Sequence, residues 1–293
     1  MSGDLMMVAF GYHGAEFHGS QIQPDVRTVQ GELKRAIERL GWWTDDCLEI
    51  SSRTDSGVSV RMNMATITLP EKIAKNIEES VFVSAMNDHL PDDLLVWKAC
   101  RAPTGTRSRF AEKRLYVYRC DMISGWPQEV DFERFKTACQ IFVGCHDFTN
   151  FCRIDGDRSP IRTIDSCQPW LDNSGRVIGF SVVAKSFLWN QIRRIASALH
   201  RFAIDEIELE EIELSLQNPH EAIDLGRAPA EGLILWSLKH NEFSHEFEYP
   251  TIVEGISLPP PEKRAHKQWL NLARMENSSI LQREWLRLIQ DVK

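Results

Sequence analysis

Hydrophobic positions along the chain change period several times, and each change marks an element. LMMVAFGY (5–12) is a strand-length apolar run. TVQGELKRAIERLG (28–41) sets Val29, Leu33, Ala36, Ile37 and Leu40 on one helical face, with Gly41 as its stop. CLEIS (47–51) and the alternating MATITL (64–69) predict two strands. Pro70 precedes a helix expected over 71–88, where Ile73, Ile77, Val81 and Ala85 recur every four residues. LLVWKAC (94–100) closes this half as a strand, so the order is β-α-β-β-α-β.

The second half repeats that order. LYVYRCD (115–121) predicts a strand and VDFERFKTACQIFVG (130–144) a helix. IRTIDSCQPWL (161–171) and RVIGFSVVAKSF (176–187) flank the turn Asp172-Asn173-Ser174-Gly175, a hairpin signal. FLWNQIRRIASALHRF (187–202) predicts a helix, DEIELEEIE (205–213) a short second one, and GLILWSLK (232–239) a strand. Each order matches a split βαβ unit. The predicted class is therefore α+β: two ferredoxin-like units with antiparallel sheets, one over 1–110 and one over 111–239. No glycine-rich phosphate loop follows any strand, which weakens a nucleotide-binding reading. From residue 240 the character changes. Pro250 and the run Pro259-Pro260-Pro261 mark an irregular connector. SILQREWLRLIQDVK (279–293) then reads as a helix with Leu281, Trp285, Leu288 and Val292 on one face and Ser279 with Gln282 as a capping box. Residues 240–293 are expected to be an extension packed on the body.

Composition adds limits. The 293 residues are 43% hydrophobic and 26% charged, a globular balance that argues against a disordered or coiled-coil chain. No run of about 18 apolar residues predicts a membrane-spanning helix. The N-terminus lacks a basic start followed by an apolar stretch, and the seven cysteines form no CxxC pair. Both features fit a cytoplasmic protein with reduced thiols. Cys139, Cys145, His146 and Cys152 fall within 14 residues, but their spacing fits no closed zinc pattern, so they read as core thiols and no metal is expected. The net charge of −8 argues, taken whole, against a polyanionic partner. It is spread as −3, −4 and −1 over 1–110, 111–239 and 240–293. Within those blocks it is lumpy. The stretch 101–119 holds Arg101, Arg107, Arg109, Lys113, Arg114 and Arg119 against only Glu112, whereas 205–213 holds six acids and no base. The first could contact phosphates and the second reads as a solvated helix face.

The sharpest local feature is SSRTDSGVSV (51–60), in which small residues surround Arg53 and Asp55 and Gly57 permits a tight bend. Composition alone favours an ordinary loop with a surface ion pair. The string, however, resembles the RTDxGV core of the TruA-type tRNA pseudouridine synthase family. GYHGAEFHGSQIQPDVRTVQGELKRAI (11–37), RLYVYR (114–119), HDFTNF (146–151), FLWNQIRRIA (187–196) and APAEGLIL (228–235) resemble further segments of that family, in its order, across residues 5–236.

That resemblance implies roles. Asp55 corresponds to the catalytic aspartate, acting as a nucleophile or through its charge while the uracil N-glycosidic bond breaks and the base rejoins through C5. Aspartate carboxylates are charged at neutral pH and form ester-like bonds reversibly. Arg193 corresponds to the arginine that pairs with this aspartate. The helical pattern agrees, because Ile192, Ile195, Ala196 and Leu199 form the apolar stripe and Arg193 lies at its edge. Tyr116 corresponds to the tyrosine that packs on the target base, Arg53 to the arginine that keeps the base extruded, and Leu233 to an apolar residue closing the pocket. Arg107, Arg109 and Arg114 are expected to bind RNA. The resemblance also implies a central catalytic cleft flanked by the two units, a homodimer, tRNA as partner, target uridines at positions 38–40 of the anticodon stem-loop, and no cofactor. The chain departs from the family at Ser20, where a tryptophan is usual, at Ser59, where a histidine often follows, and at Trp189 and Asn190, where histidines occur. The first two changes bear on substrate range.

Overall fold

The computed structural model describes residues 5–156, 158–250 and 252–290. The chain divides into two compact units. One comprises Met1–Glu112, Leu235–Glu248 and Ser278–Lys293; the other comprises Lys113–Ile234 and Tyr249–Asn277.

The first unit is built on β1 (Leu5–Tyr12), buried along its whole length as its apolar run demands. Helix α1 (Val29–Arg39) buries Val29, Leu33, Ala36 and Ile37, and the Thr28 hydroxyl accepts from the Gly31 amide at its start. Strands β2 (Leu48–Ile50) and β3 (Ser59–Thr68) follow, then helices α2 (Glu71–Ala74) and α3 (Glu79–Asn87), then β4 (Leu94–Ala102). Strand β1 pairs antiparallel with both β3 and β4, and β2 pairs antiparallel with β3. The resulting order, 4-1-3-2, is that of the split βαβ unit. The single helix expected over 71–88 is two helices. Its phase resets at Glu79, so Phe82 and Met86 enter the core and Val81 points to solvent.

The second unit contains β5 (Lys113–Arg119), α4 (Phe132–Ile141), β6 (Gly144–Asp147), β7 (Ile161–Leu171), β8 (Val177–Ala184), α5 (Gln191–Ala203) and α6 (Leu209–Gln217). Strand β8 lies between β5 and β7, β6 extends the edge beyond β7, and all three pairings are antiparallel. The chain is thus α+β with antiparallel pairing, as its periodicity predicts. Strand β6 was not legible, because GCHD carries no alternation. The acidic helix starts at Leu209 rather than near 205, since Glu208 and Glu211 form a reciprocal capping box there.

Strand β9 (Leu233–Lys239) begins in the second unit and ends in the first. Residues 240–293 divide between the units in the same way. Their helix, α7, runs Lys263–Gln290, so Ser279 lies inside it and caps nothing; instead its hydroxyl accepts from Arg283. Leu281, Trp285 and Leu288 are buried as expected, while Val292 lies outside the described residues. In the first unit, Trp285 packs on Gly11 and donates its indole N–H to the Arg61 carbonyl at 3.0 Å. The Arg61 guanidinium, wholly buried, bonds Glu284 at 2.7 Å and Glu248 at 2.6 Å. In the second unit, wholly buried Arg119 bonds Asp121 at 2.7 Å and Glu276 at 3.0 Å. Burial works against the Arg119 charge, and these carboxylates outweigh it, holding its pKa above the ordinary value. Among the described residues no helix is long and apolar enough to cross a membrane.

Candidate active site

Asp55 sits in the loop between β2 and β3, half-buried. The loop is tied down from several sides of its own unit. The Thr54 amide donates to the Ser20 hydroxyl at 2.9 Å, and the Ser20 amide donates to the Thr54 carbonyl at 3.2 Å. The Tyr12 and Thr54 hydroxyls lie 2.6 Å apart. Ser56 donates to the Phe17 carbonyl, and the Gly14 amide donates to the Ser59 hydroxyl at 3.0 Å. At the loop's start, the Ser52 amide donates to Asn63 Oδ1 while Asn63 Nδ2 donates to the Ser52 carbonyl, both out of solvent. The Val58 amide returns to the Asp55 carbonyl at 3.3 Å, closing the turn over Gly57, whose φ of 85° suits glycine. A loop held by so many hydrogen bonds fixes the backbone that carries Asp55.

Sequence reasoning missed these supports. Ser20 and Ser59, noted only as departures, each hold the loop through a hydroxyl. A signal for Asn63 was present: a carboxamide inside the apolar alternation of β3 must find partners when buried. Arg53 is exposed, and the Gln21 carboxamide, its oxygen turned toward the guanidinium, accepts from Nε at 3.1 Å and Nη2 at 3.3 Å.

In the second unit, Tyr116 lies on β5 opposite Val182 and is almost wholly buried, with its ring edge-on to Phe187 at 5.4 Å. Arg193 lies on α5 beside the buried stripe of Ile192, Ile195, Ala196 and Leu199. Its Nε donates to the Ala228 carbonyl at 2.9 Å, and the Ala228 amide donates back to the Arg193 carbonyl at 2.9 Å. Its Nη1 donates to Asn190 Oδ1 at 3.3 Å. The turn 228–233 is thereby locked to α5, and the Tyr118 hydroxyl secures it again through the Pro229 carbonyl at 2.8 Å. Burial pushes the Tyr118 phenol well above its usual pKa, which keeps it a donor. Leu233 follows at the start of β9, buried, its amide donating to the Ala230 carbonyl. Arg194, outside the stripe, pairs with Asp224 at 2.8 Å.

The basic stretch 101–119 does not present its cations alike. Arg107 and Arg109 are exposed and share Glu49 at 2.6 and 3.7 Å. Arg101 Nη2 donates to the Ile77 carbonyl. Arg114, expected at the RNA surface, is instead buried and donates to the Lys185 carbonyl, and burial lowers its pKa from the arginine value. Arg119 is consumed by Asp121 and Glu276. The reason is strand alternation with covered faces: on β5 a cation that cannot reach water must find carbonyls or carboxylates.

A family model for tRNA pseudouridine synthase matches residues 138–241. The tRNA pseudouridine synthase A of Pyrococcus abyssi is 34% identical over 266 residues, covering 89% of this chain and 90% of that protein. That of Pyrococcus horikoshii is 35% identical over 258 residues, covering 87% of each, and that of Methanoculleus marisnigri is 36% identical, covering 79% of this chain and 81% of the relative. This chain belongs to the tRNA pseudouridine synthase family.

Proposed function

We propose that this chain, by its family an isomerase making pseudouridine in tRNA, acts on uridines 38–40 of the anticodon stem-loop with Asp55 as its catalytic carboxylate. The N1–C1′ bond of uridine breaks, a C5–C1′ bond forms, and C5 gives up its proton to solvent while N1 takes one up, so the product is an isomer of the substrate. Nothing is oxidised or reduced, and no external group is transferred, so the reaction asks for positioning and a nearby carboxylate. The observation that carries the assignment is the RTDSGV loop itself, in which Asp55 is flanked by Thr54 and Ser56, whose hydroxyls bond the Tyr12 hydroxyl and the Phe17 carbonyl while the Thr54 amide donates to Ser20. Tyr116 and Arg193 serve the same uridine, the tyrosine by packing on the base and the arginine by pairing with the carboxylate. Leu233 closes the base pocket, Arg53 holds the extruded base out of the stem, and the exposed Arg107 and Arg109 contribute to RNA binding. Flipping the base costs a few kcal/mol, which stacking and phosphate contacts offset.

Tritium release from tRNA carrying 5-tritiated uridine tests this reading. Wild type releases tritium from unmodified tRNA, and Asp55→Asn releases less than about a thousandth as fast while binding tRNA with similar affinity. An Asn variant as active as wild type removes Asp55 from the chemistry. Release confined to uridines outside 38–40 removes the positional assignment. The homodimer and the cytoplasmic location belong to the same proposal, and a monomeric mass by light scattering at micromolar concentration would overturn the former.

A further inference from the structure

Several arginines and lysines of this protein stand over aromatic rings, and in most of these pairs the ring is buried, so the contact is part of the core. Arg61 over Trp236, Arg119 over Trp269 and Arg134 over Phe202 are of this kind. Arg153 and Trp189 are different. The guanidinium carbon lies 4.1 Å from the indole centroid, yet Trp189 keeps 43% of its surface exposed. Among the described residues Arg153 has no carboxylate within ion-pair distance. The pair is held by backbone rather than by packing: the Arg153 amide donates to the Trp189 carbonyl at 2.8 Å in an isolated antiparallel bridge. Asn190, which follows, is pinned in the left-handed region at φ 63° and accepts from Arg193. That sparsely populated backbone conformation fixes an exposed indole just ahead of α5. Ile154, beside Arg153, is also largely exposed, and Lys185 lies exposed four residues ahead of Trp189.

An exposed indole already stacked with a guanidinium that has no carboxylate partner among the described residues has the chemistry of a nucleobase platform: an aromatic surface for the base and a cation for the neighbouring phosphate. We propose that Arg153 and Trp189 bind a nucleotide of the RNA flanking the target uridine. This rests on the reading that the chain acts on tRNA. The placement follows from chain proximity: Trp189 stands two residues ahead of α5, and Arg193 is the third residue of that helix.

The test uses the full chain with Trp189→Ala, Trp189→Phe and Arg153→Ala. Trp189→Ala is expected to weaken binding of unmodified tRNA about tenfold, in the range of a lost base stack, with the single-turnover rate at saturating enzyme within about threefold of wild type. Trp189→Phe restores affinity to within about threefold, and Arg153→Ala weakens binding and makes it less salt-dependent. The emission of wild type minus Trp189→Phe reports this indole alone, and a single-stranded oligouridylate is expected to quench it. Wild-type affinity in Trp189→Ala overturns the proposal. So does an equal loss in the Ala and Phe variants, or a difference emission that RNA leaves unchanged. Binding and quenching need no turnover, so a wild type that binds tRNA but releases no tritium overturns the activity and leaves the platform standing.

Discussion

Replacing Gly14 by alanine asks how much the placement of the Asp55 loop matters. A Cβ built at Gly14 stands 2.3 Å from the Val58 carbonyl oxygen, 2.4 Å from its carbon and 2.7 Å from the Gly57 carbonyl carbon. Ordinary contact begins at 3.4 Å, so the two segments must separate by about 1 Å. All three atoms are backbone, and no side chain can rotate away. The Val58 amide is bonded to the Asp55 carbonyl, so the displacement passes directly to the Asp55 loop. A misplacement of about 1 Å costs on the order of 10²-fold in rate, or about 2.7 kcal/mol of barrier. Single-turnover tritium release at saturating enzyme should therefore slow about a hundredfold in Gly14→Ala, while tRNA affinity changes less than about threefold. Ser59→Ala removes the acceptor of the Gly14 amide without adding bulk and should slow release less, about tenfold at most. A Gly14→Ala enzyme within threefold of the wild-type rate would show that the close approach does not position Asp55. Should that variant lose its cooperative unfolding transition, Ser59→Ala carries the test, and an unchanged rate there refutes the argument equally.

Other consequences concern charge and pH. Arg61→Met strands Glu284 and Glu248 without their buried partner and should cost about 3 kcal/mol, lowering the thermal midpoint by roughly 6–10 °C; a midpoint within 2 °C of wild type would deny the pair that role. Burial lowers the pKa of His245 from 6.5 to about 4 and pulls His13 and His200 down as well. The unfolded chain then binds more protons, so stability is full above about pH 6.5 and falls as pH drops toward 4. His245→Gln should flatten the fall in thermal midpoint between pH 7 and 5, and an unaltered fall refutes the assignment. Arg107→Ala combined with Arg109→Ala should weaken tRNA binding and make the slope of log affinity against log salt shallower by up to about 2; an unchanged slope removes this pair from the RNA surface.

Much of this protein is legible in its sequence because the relevant physics is local. Strand runs and helical stripes are decided within a few residues, which is why β1, α1, β7 and the stripe of α5 fall where periodicity puts them. The RTDSGV string is equally local and marks Asp55. Where the reading fails, the cause lies elsewhere in the chain. The helix over 71–88 breaks because Phe82 and Met86, not the four-residue series through Val81, meet the core.

The cations show the division most clearly. By itself the sequence determined how many arginines stand between 101 and 119, and that each must be hydrated, paired or bonded to carbonyls. Only the tertiary structure decided which. Arg107 and Arg109 reach solvent beside Glu49, Arg114 turns to a carbonyl 71 residues away, and Arg119 meets Glu276 across 157 residues. Ser20 and Ser59 likewise became loop anchors only once residues tens of positions apart were brought to hydrogen-bond distance. A buried polar group must be satisfied, but the identity of its partner depends on contacts that no local window of sequence contains.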